Sequence, residues 1–278
     1  MKLFMKKFLL TGIPRSGTTL SCKILNSLED TIALHEPLNP GSFLSATSKN
    51  AILEVIKCID AIEDKLINGE AFEHGSGQSL LLDNPIEENG NGNLRRLKAK
   101  RGLLSLPPQP ATMNLVIKQN ALFASLIHEA VKYFHVVSVI RNPVDVILSW
   151  MNVDLPINKG RIPGGEKFCN ELKAALDAEP DVLERQIYIY GWFIKQFSNY
   201  ANSLIKYEDI VESNGNALIN AFGFDGQSTM SIEKVARVYN QQTLDNLRTS
   251  VISHIQILSN QYYDEASIKQ RLQEVCEA

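Results

Sequence analysis

Cysteine is scarce in this chain. The four residues Cys22, Cys58, Cys169 and Cys276 lie far apart, with no Cys-x-x-Cys and no cysteine–histidine pairing. The pattern offers no zinc site, no other metal motif accompanies it, and a reducing cytoplasm is the simplest setting. Long apolar runs are missing as well. No segment approaches the roughly 20 apolar residues of a membrane span. The first lysines are followed by an apolar core of Phe8-Leu9-Leu10 alone, too short for the central region of a signal peptide. There is no excess of positive charge either. The formal net charge is −3, so no overall basic field points to nucleic acid. What remains is 44% hydrophobic and 21% charged over 278 residues. That is soluble, globular composition, with length enough for a substantial core.

Against that plain background one stretch stands out: Gly12-Ile13-Pro14-Arg15-Ser16-Gly17-Thr18-Thr19. The apolar run Lys7–Thr11 before it reads as a buried strand. After it, Leu20, Ile24 and Leu28 fall on one face of a helix. Strand, glycine loop and helix make a phosphate cradle, in which backbone N–H groups point inward at an anion. The spacing nearly fits the ATP-binding P-loop, G-x-x-x-x-G-K-[ST]. It departs from it at Thr18, where lysine belongs. The cation of the loop is instead Arg15, on the opposite limb. Taken alone, a glycine pair at this spacing also suits an ordinary tight strand-to-helix turn.

Along the chain, Thr31–His35 reads as a second strand stopped by Glu36-Pro37. Residues 51–67 carry Ile52, Val55, Ile56, Ile59, Ile62 and Leu66 at helical spacing. From Gly75 to Pro110 the chain reads as loop, with Asn84-Pro85, the run from Asn89 to Asn93, and Pro107-Pro108. A loop of that length suggests a substrate-side excursion or plain disorder. Leu115–Lys118 is a third strand, Ala121–Phe134 a helix and His135–Ile140 a buried, β-branched strand. A helix follows through Trp150. Residues 166–178 and 181–200 are further helices, Ser203–Tyr207 a short strand, and the chain from Glu208 on is helical, with turns at Asn214-Gly215 and Gly223 to Gly226. The expected fold is α/β: a P-loop-like, mostly parallel central sheet with helices on both faces and a helical C-terminal part. The whole chain, 1–278, is expected to form one such domain. Ligands of these sheets bind beyond the carboxyl ends of the strands. Arg15, Glu36, Lys118, Arg141 and Tyr207 all fall at strand ends, which brings them to one rim.

The second motif runs Val139-Ile140-Arg141-Asn142-Pro143-Val144-Asp145-Val146-Ile147-Leu148-Ser149-Trp150. Arg141 leaves a strand end, and Ser149 stands eight residues on, about two turns into the next helix. By itself Arg141 could simply pair with Asp145. Together with Pro14-Arg15-Ser16-Gly17-Thr18-Thr19, however, the motif resembles the sulfotransferases that use 3′-phosphoadenosine 5′-phosphosulfate (PAPS), and in its loop the tyrosylprotein and bacterial type. The resemblance implies an α/β sulfotransferase fold and transfer of a sulfuryl group from PAPS to a hydroxyl or amine, leaving PAP. It implies that Arg15, Ser16, Gly17, Thr18 and Thr19 hold the 5′-phosphosulfate and that Arg141 and Ser149 hold the 3′-phosphate. It places Tyr207, in Lys206-Tyr207-Glu208-Asp209, near the adenine. Lys118 would approach the bridging oxygen of the phosphosulfate. Glu36, 21 residues after Arg15, stands where tyrosylprotein enzymes have a catalytic Glu, and His35 is the rival base. A carboxylate facing such a pocket is expected to have a raised pKa. Neighbours on an extended segment point opposite ways, so one of His35 and Glu36 is expected to face the cleft.

The chain departs from the family pattern too. Leu20 replaces the adenine-stacking aromatic of cytosolic members, and the tail lacks their Arg-Lys-Gly-x-x-Gly-Asp-Trp-Lys run. Membrane-anchored members carry a span, so a free, soluble, cytoplasmic enzyme without a metal is expected. Two other readings stay open from the residues: a P-loop kinase or NTPase, and a non-catalytic module that binds PAP or another nucleotide. No motif specifies the acceptor, whether small molecule or protein. The excursion and the helices at 166–200 are expected to shape its pocket.

Overall fold

The computed structural model describes residues 4–45, 47–80, 86–87, 94–97, 100–232 and 239–277. The turns expected at Asn84-Pro85 and from Asn89 to Asn93 lie outside the described residues. A five-stranded parallel sheet forms the centre, in the order β2 (Thr31–His35), β7 (Asn114–Lys118), β1 (Lys6–Gly12), β8 (His135–Ile140), β9 (Ser203–Lys206). Every one of these strands was marked in the sequence by an apolar run cut short by a glycine, proline or charged residue. Buried parallel strands read that way because both faces are covered.

Alternate residues of each strand feed two separate cores. Leu9, Leu115, Ile117, Val136 and Ile140 pack on one face, against α2 (Ser48–Asn68), α3 (Asn120–Ala130), α4 (Pro143–Met151) and α7 (Val182–Tyr200). Leu10, Val116, Val137 and Val139 pack on the other, against α1 (Thr18–Leu25), α8 (Tyr207–Glu212) and α9 (Asn216–Phe222). Both faces are therefore helix-covered, as a two-sided apolar strand demands. The C-terminal part adds α10 (Gln241–Ser253), α11 (Ile255–Leu258) and α12 (Glu265–Glu277) to the first face. Among the described residues no helix is long and apolar enough to cross a membrane.

The structure departs from the sequence reading in four places. The helix expected over 166–178 is two helices, α5 (Pro163–Glu166) and α6 (Asn170–Ala178), because Cys169 between them is extended at φ −133°. Tyr207 does not end β9; it opens α8. Within the C-terminal part no described residue between α9 and α10 is helical. The excursion at 75–110 is not simply loop. Its root is an antiparallel ribbon of β3 (Phe72–His74) and β6 (Gly102–Leu104), and within it β4 (Ile86–Glu87) pairs with β5 (Arg96–Leu97). Facing partners Phe72 and Leu104 are both almost wholly buried, and that cross-strand apolar pair fixes the ribbon to the body.

Candidate functional site

The glycine loop leaves β1 at the centre of the sheet, where chain connections diverge to either side. Arg15 and Gly17 both adopt left-handed backbone conformations, at φ 74° and 90°. This turns the loop back so that α1 begins at Thr18 with free N–H groups at its start. The outer limb is pinned by the Trp150 indole N–H, which donates to Pro14 O at 2.8 Å. Ser16 is wholly buried and its hydroxyl donates to Val139 O at 3.0 Å, so it braces the loop against β8. Thr18 is buried and Thr19 lies towards the cleft, where its hydroxyl meets His35 Nε2 at 3.3 Å. Gly17 is irreplaceable on two counts. Its φ favours glycine, and a Cβ there would overlap Cδ2 and Cε2 of the Tyr207 ring. Gly17→Ala is therefore expected to destabilise the fold by roughly 1–3 kcal/mol, read as a lower urea midpoint, and to disturb the cradle at the same time.

Arg15, Arg141 and Ser149 meet although they come from three elements. Arg15 Nε donates to Ser149 Oγ at 3.2 Å, and Arg141 Nη1 donates to Arg15 O at 3.4 Å. The Arg141 guanidinium lies over the Tyr207 ring, 4.4 Å from its centroid, a cation–π contact that orients the fork. Tyr207 thus packs against both Gly17 and Arg141. The ion pair of Arg141 with Asp145 does form, at 3.3 Å, but Asp145 is held more closely from elsewhere, by Arg271. Arg141 Nε is buried and finds no hydrogen-bond partner among the described residues. A buried, charged donor left unmet is costly in a finished fold, and an incoming anion would satisfy it.

A further guanidinium belongs to this cluster that the sequence did not single out. Arg95, from the excursion, donates to Ser149 Oγ at 3.4 Å and to Asn152 O at 3.2 Å. Backbone bonds between Arg95 and its neighbours Asn152 and Asp154 hold it there. Its local sequence, rich in Asn and Gly, gives no hint that its side chain would cap the end of α4.

The second cluster forms where β2 and β7 end. Lys118 is 3% exposed at its side chain, and its Nζ lies 2.5 Å from Glu36 Oε1 and 3.4 Å from His35 Nε2. Both neighbours therefore reach the same lysine, contrary to the alternation expected of an extended segment. The cause is Glu36 itself, which takes a left-handed φ of 49° and swings its side chain round to the His35 side. Arg101 holds that turn by donating to the backbone oxygens of Glu36, Pro37 and Leu38. Gly75 closes over it, with its N–H donating to His35 O at 3.0 Å and no room for a Cβ.

The protonation states follow from these contacts. An ammonium can only donate, so His35 Nε2 accepts from Lys118, which leaves the ring proton on Nδ1, 3.3 Å from Ser76 Oγ. Burial and then the Lys118 charge push the His35 pKa down to about 3. Burial alone would raise the Glu36 pKa. The charge and hydrogen bond of Lys118 outweigh it, and the carboxyl is held down at about 2. The expectation of a raised Glu36 pKa is thus reversed in the free protein, because the basic partner is in contact. Chemically, the rim offers an anion cradle with two arginine forks on one side. On the other it offers a buried ammonium flanked by two deprotonated bases. Among the described residues no group of three or more His, Cys, Asp or Glu side chains could hold a metal ion.

No curated protein matches the sequence. Among solved structures, a sulfotransferase from Alicyclobacillus acidocaldarius aligns over 96% of this chain and 98% of its own, at 11% identity and a TM-score of 0.45. The sulfotransferase domain from the curacin biosynthetic pathway aligns over 82% of this chain and 76% of its own, at 16% identity and a TM-score of 0.38. The family model for the sulfotransferase domain matches residues 5–271, a span that takes in the glycine loop, Arg141, Ser149 and Lys118. The chain belongs to the sulfotransferase domain family.

Proposed function

We propose that this protein transfers the sulfuryl group of PAPS, in line, to a hydroxyl or amine acceptor, with PAP as the product. The observation that carries the reading is the meeting of Arg15, Arg141 and Ser149 beside the glycine loop, two guanidiniums in one cluster with the Nε of Arg141 buried and unmet. A donor that carries both a phosphosulfate and a 3′-phosphate brings two anionic groups to a cluster with two such cations. A nucleotide with one polyphosphate chain does not require the second arginine.

PAPS supplies a sulfuryl group already activated by its phosphate leaving group. The residues of this chain do the rest. The N–H groups of Gly17 to Thr19 and the Arg15 guanidinium would hold the phosphosulfate, with Ser16 bracing the loop by its N–H to Ile13 O and its hydroxyl to Val139 O, since charge-assisted donors on a preformed cradle bind an anion without reorganising. Arg141 and Ser149 would hold the 3′-phosphate, with Tyr207 keeping the Arg141 fork in plane beside the adenosine. Lys118 would offset the charge that builds on the leaving oxygen. In doing so it would give up Glu36 and His35, whose basicity rises once the ammonium turns away. Glu36 would then take the acceptor proton. Catalysis on this reading is positioning and charge stabilisation, as in phosphoryl transfer.

Two measurements test it. Labelled PAPS with an acceptor panel should yield sulfated product, and a chain that binds PAP but transfers nothing to any acceptor would be a binding module instead. Calorimetry should show PAP bound far more tightly than ATP with Mg²⁺; the reverse order would favour a kinase-like enzyme. The 3′ end is tested separately. Arg141→Ala is expected to weaken PAP by about 1.5–3 kcal/mol, the loss of a hydrogen bond to a charged group, while adenosine 5′-phosphate, which lacks the 3′-phosphate, loses little. Equal losses for both ligands would remove Arg141 from the 3′ site.

A further inference from the structure

The last helix reaches into the nucleotide side of the rim through one residue. Arg271 of α12 grips Asp145 with both arms of its fork, Nε to Oδ2 and Nη2 to Oδ1, each at 2.9 Å. It also pairs with Glu274 at 2.8 Å. Arg141 meets the same carboxylate by one longer contact, at 3.3 Å. Asp145 is therefore shared unequally between two guanidiniums, and the closer, bidentate claim belongs to the one 126 positions away in sequence. The carboxylate is 14% exposed and Arg141 23%, so solvent screens their mutual charge weakly.

We infer that Arg271 is a positioning residue for the donor site: by engaging Asp145 it keeps the Arg141 charge available to the 3′-phosphate. The inference rests on the sulfotransferase reading above. Without Arg271, Asp145 would turn its full charge on Arg141, four residues away and one helical turn from it. The cation would then be neutralised by the first turn of α4 before a ligand arrived. With Arg271 in place, the Asp145 carboxylate is spread over two guanidiniums, its closer bonds going to Arg271, and the Nε of Arg141 stays unmet. The role is electrostatic and passes through Asp145.

The test uses the full chain, with PAP and adenosine 5′-phosphate affinities measured by calorimetry at one ionic strength. Arg271→Ala is expected to weaken PAP about tenfold, the scale of losing one charged contact, and to leave adenosine 5′-phosphate within about twofold. Adding Asp145→Asn to Arg271→Ala should return PAP to within about threefold of the unmodified chain, because the neutralising carboxylate is gone. A merely structural role for Arg271 predicts the opposite, since the double change removes more contacts than the single one. A double variant that binds PAP as weakly as Arg271→Ala overturns the inference, as does a parallel loss of adenosine 5′-phosphate. Where Arg271→Ala fails to fold, Asp145→Asn alone decides. It is expected to bind PAP at least as tightly as the unmodified chain, and weaker binding overturns the inference. Failure of the underlying reading looks different. The unmodified chain would then not prefer PAP over adenosine 5′-phosphate, whatever stands at position 271.

Discussion

Lys118→Ala is expected to lower kcat by about 10²–10³-fold, the range for removing one preorganised donor from a developing negative charge. The lysine is held ready for that task. It ends β7, its side chain is 3% exposed, and its ammonium is fixed between Glu36 and His35. A buried cation at that point acts in a low-dielectric setting, where it is worth more than the same charge in water. The loss should fall on kcat far more than on the affinity for PAP, because the charge it stabilises appears in the transition state. The pH profile carries a second signature. Lys118 is what overcomes burial at Glu36 and adds to burial at His35. Both folded pKa values are depressed by it, so removing the lysine raises both. The acid limb of kcat/KM should accordingly lie below the measurable range in the unmodified chain and shift to higher pH in Lys118→Ala. A kcat within about threefold of the unmodified value would show that no charge at the leaving oxygen depends on Lys118.

The central sheet and both arginine motifs were legible in the sequence for a plain reason. A strand buried on two faces must be apolar throughout, and the loop that leaves it must be marked by glycine or proline. Lys7–Thr11 and His135–Ile140 satisfy that rule, and the structure extends the first by a single residue at each end. The residues that tie the rim together were not legible. Arg95, Arg101 and Arg271 reach their targets across 54, 65 and 126 positions. A long, flexible side chain on a surface helix or in a polar loop carries no local sign of its partner. The turn at Glu36 was hidden for another reason. Left-handed backbone is usually announced by glycine, and here a glutamate takes it, held by Arg101. An extended segment points His35 and Glu36 opposite ways, and only the left-handed turn brings both to one lysine. The depressed pKa of Glu36 comes with that contact.

That pairing makes the choice of base the sharpest experiment on this site. Glu36→Gln keeps the size of the side chain and a hydrogen-bond acceptor for Lys118 but cannot take a proton. It is preferable to Glu36→Ala, which would strand the buried ammonium of Lys118 and confuse stability with catalysis. On the reading proposed here, Glu36→Gln lowers kcat by about 10²-fold or more and leaves PAP affinity nearly intact. His35→Asn should cost much less. The rivalry is real in the geometry, because the unprotonated Nε2 of His35 already faces Lys118 and Thr19, with its proton on the Ser76 side. The two candidates differ in what frees them. Glu36 is locked in an ion pair at 2.5 Å and gains basicity when Lys118 turns to the donor, whereas burial, the larger of the two causes at His35, still holds that ring a weak base. The acceptor must have a weakly acidic hydroxyl, since a nitrophenol ionises with little help and would mask either loss. Full kcat in Glu36→Gln with none in His35→Asn would reverse the assignment. Near-normal rates in both would hand proton removal to solvent or to another residue, and would leave Glu36 the single task of holding Lys118 in place until the donor binds.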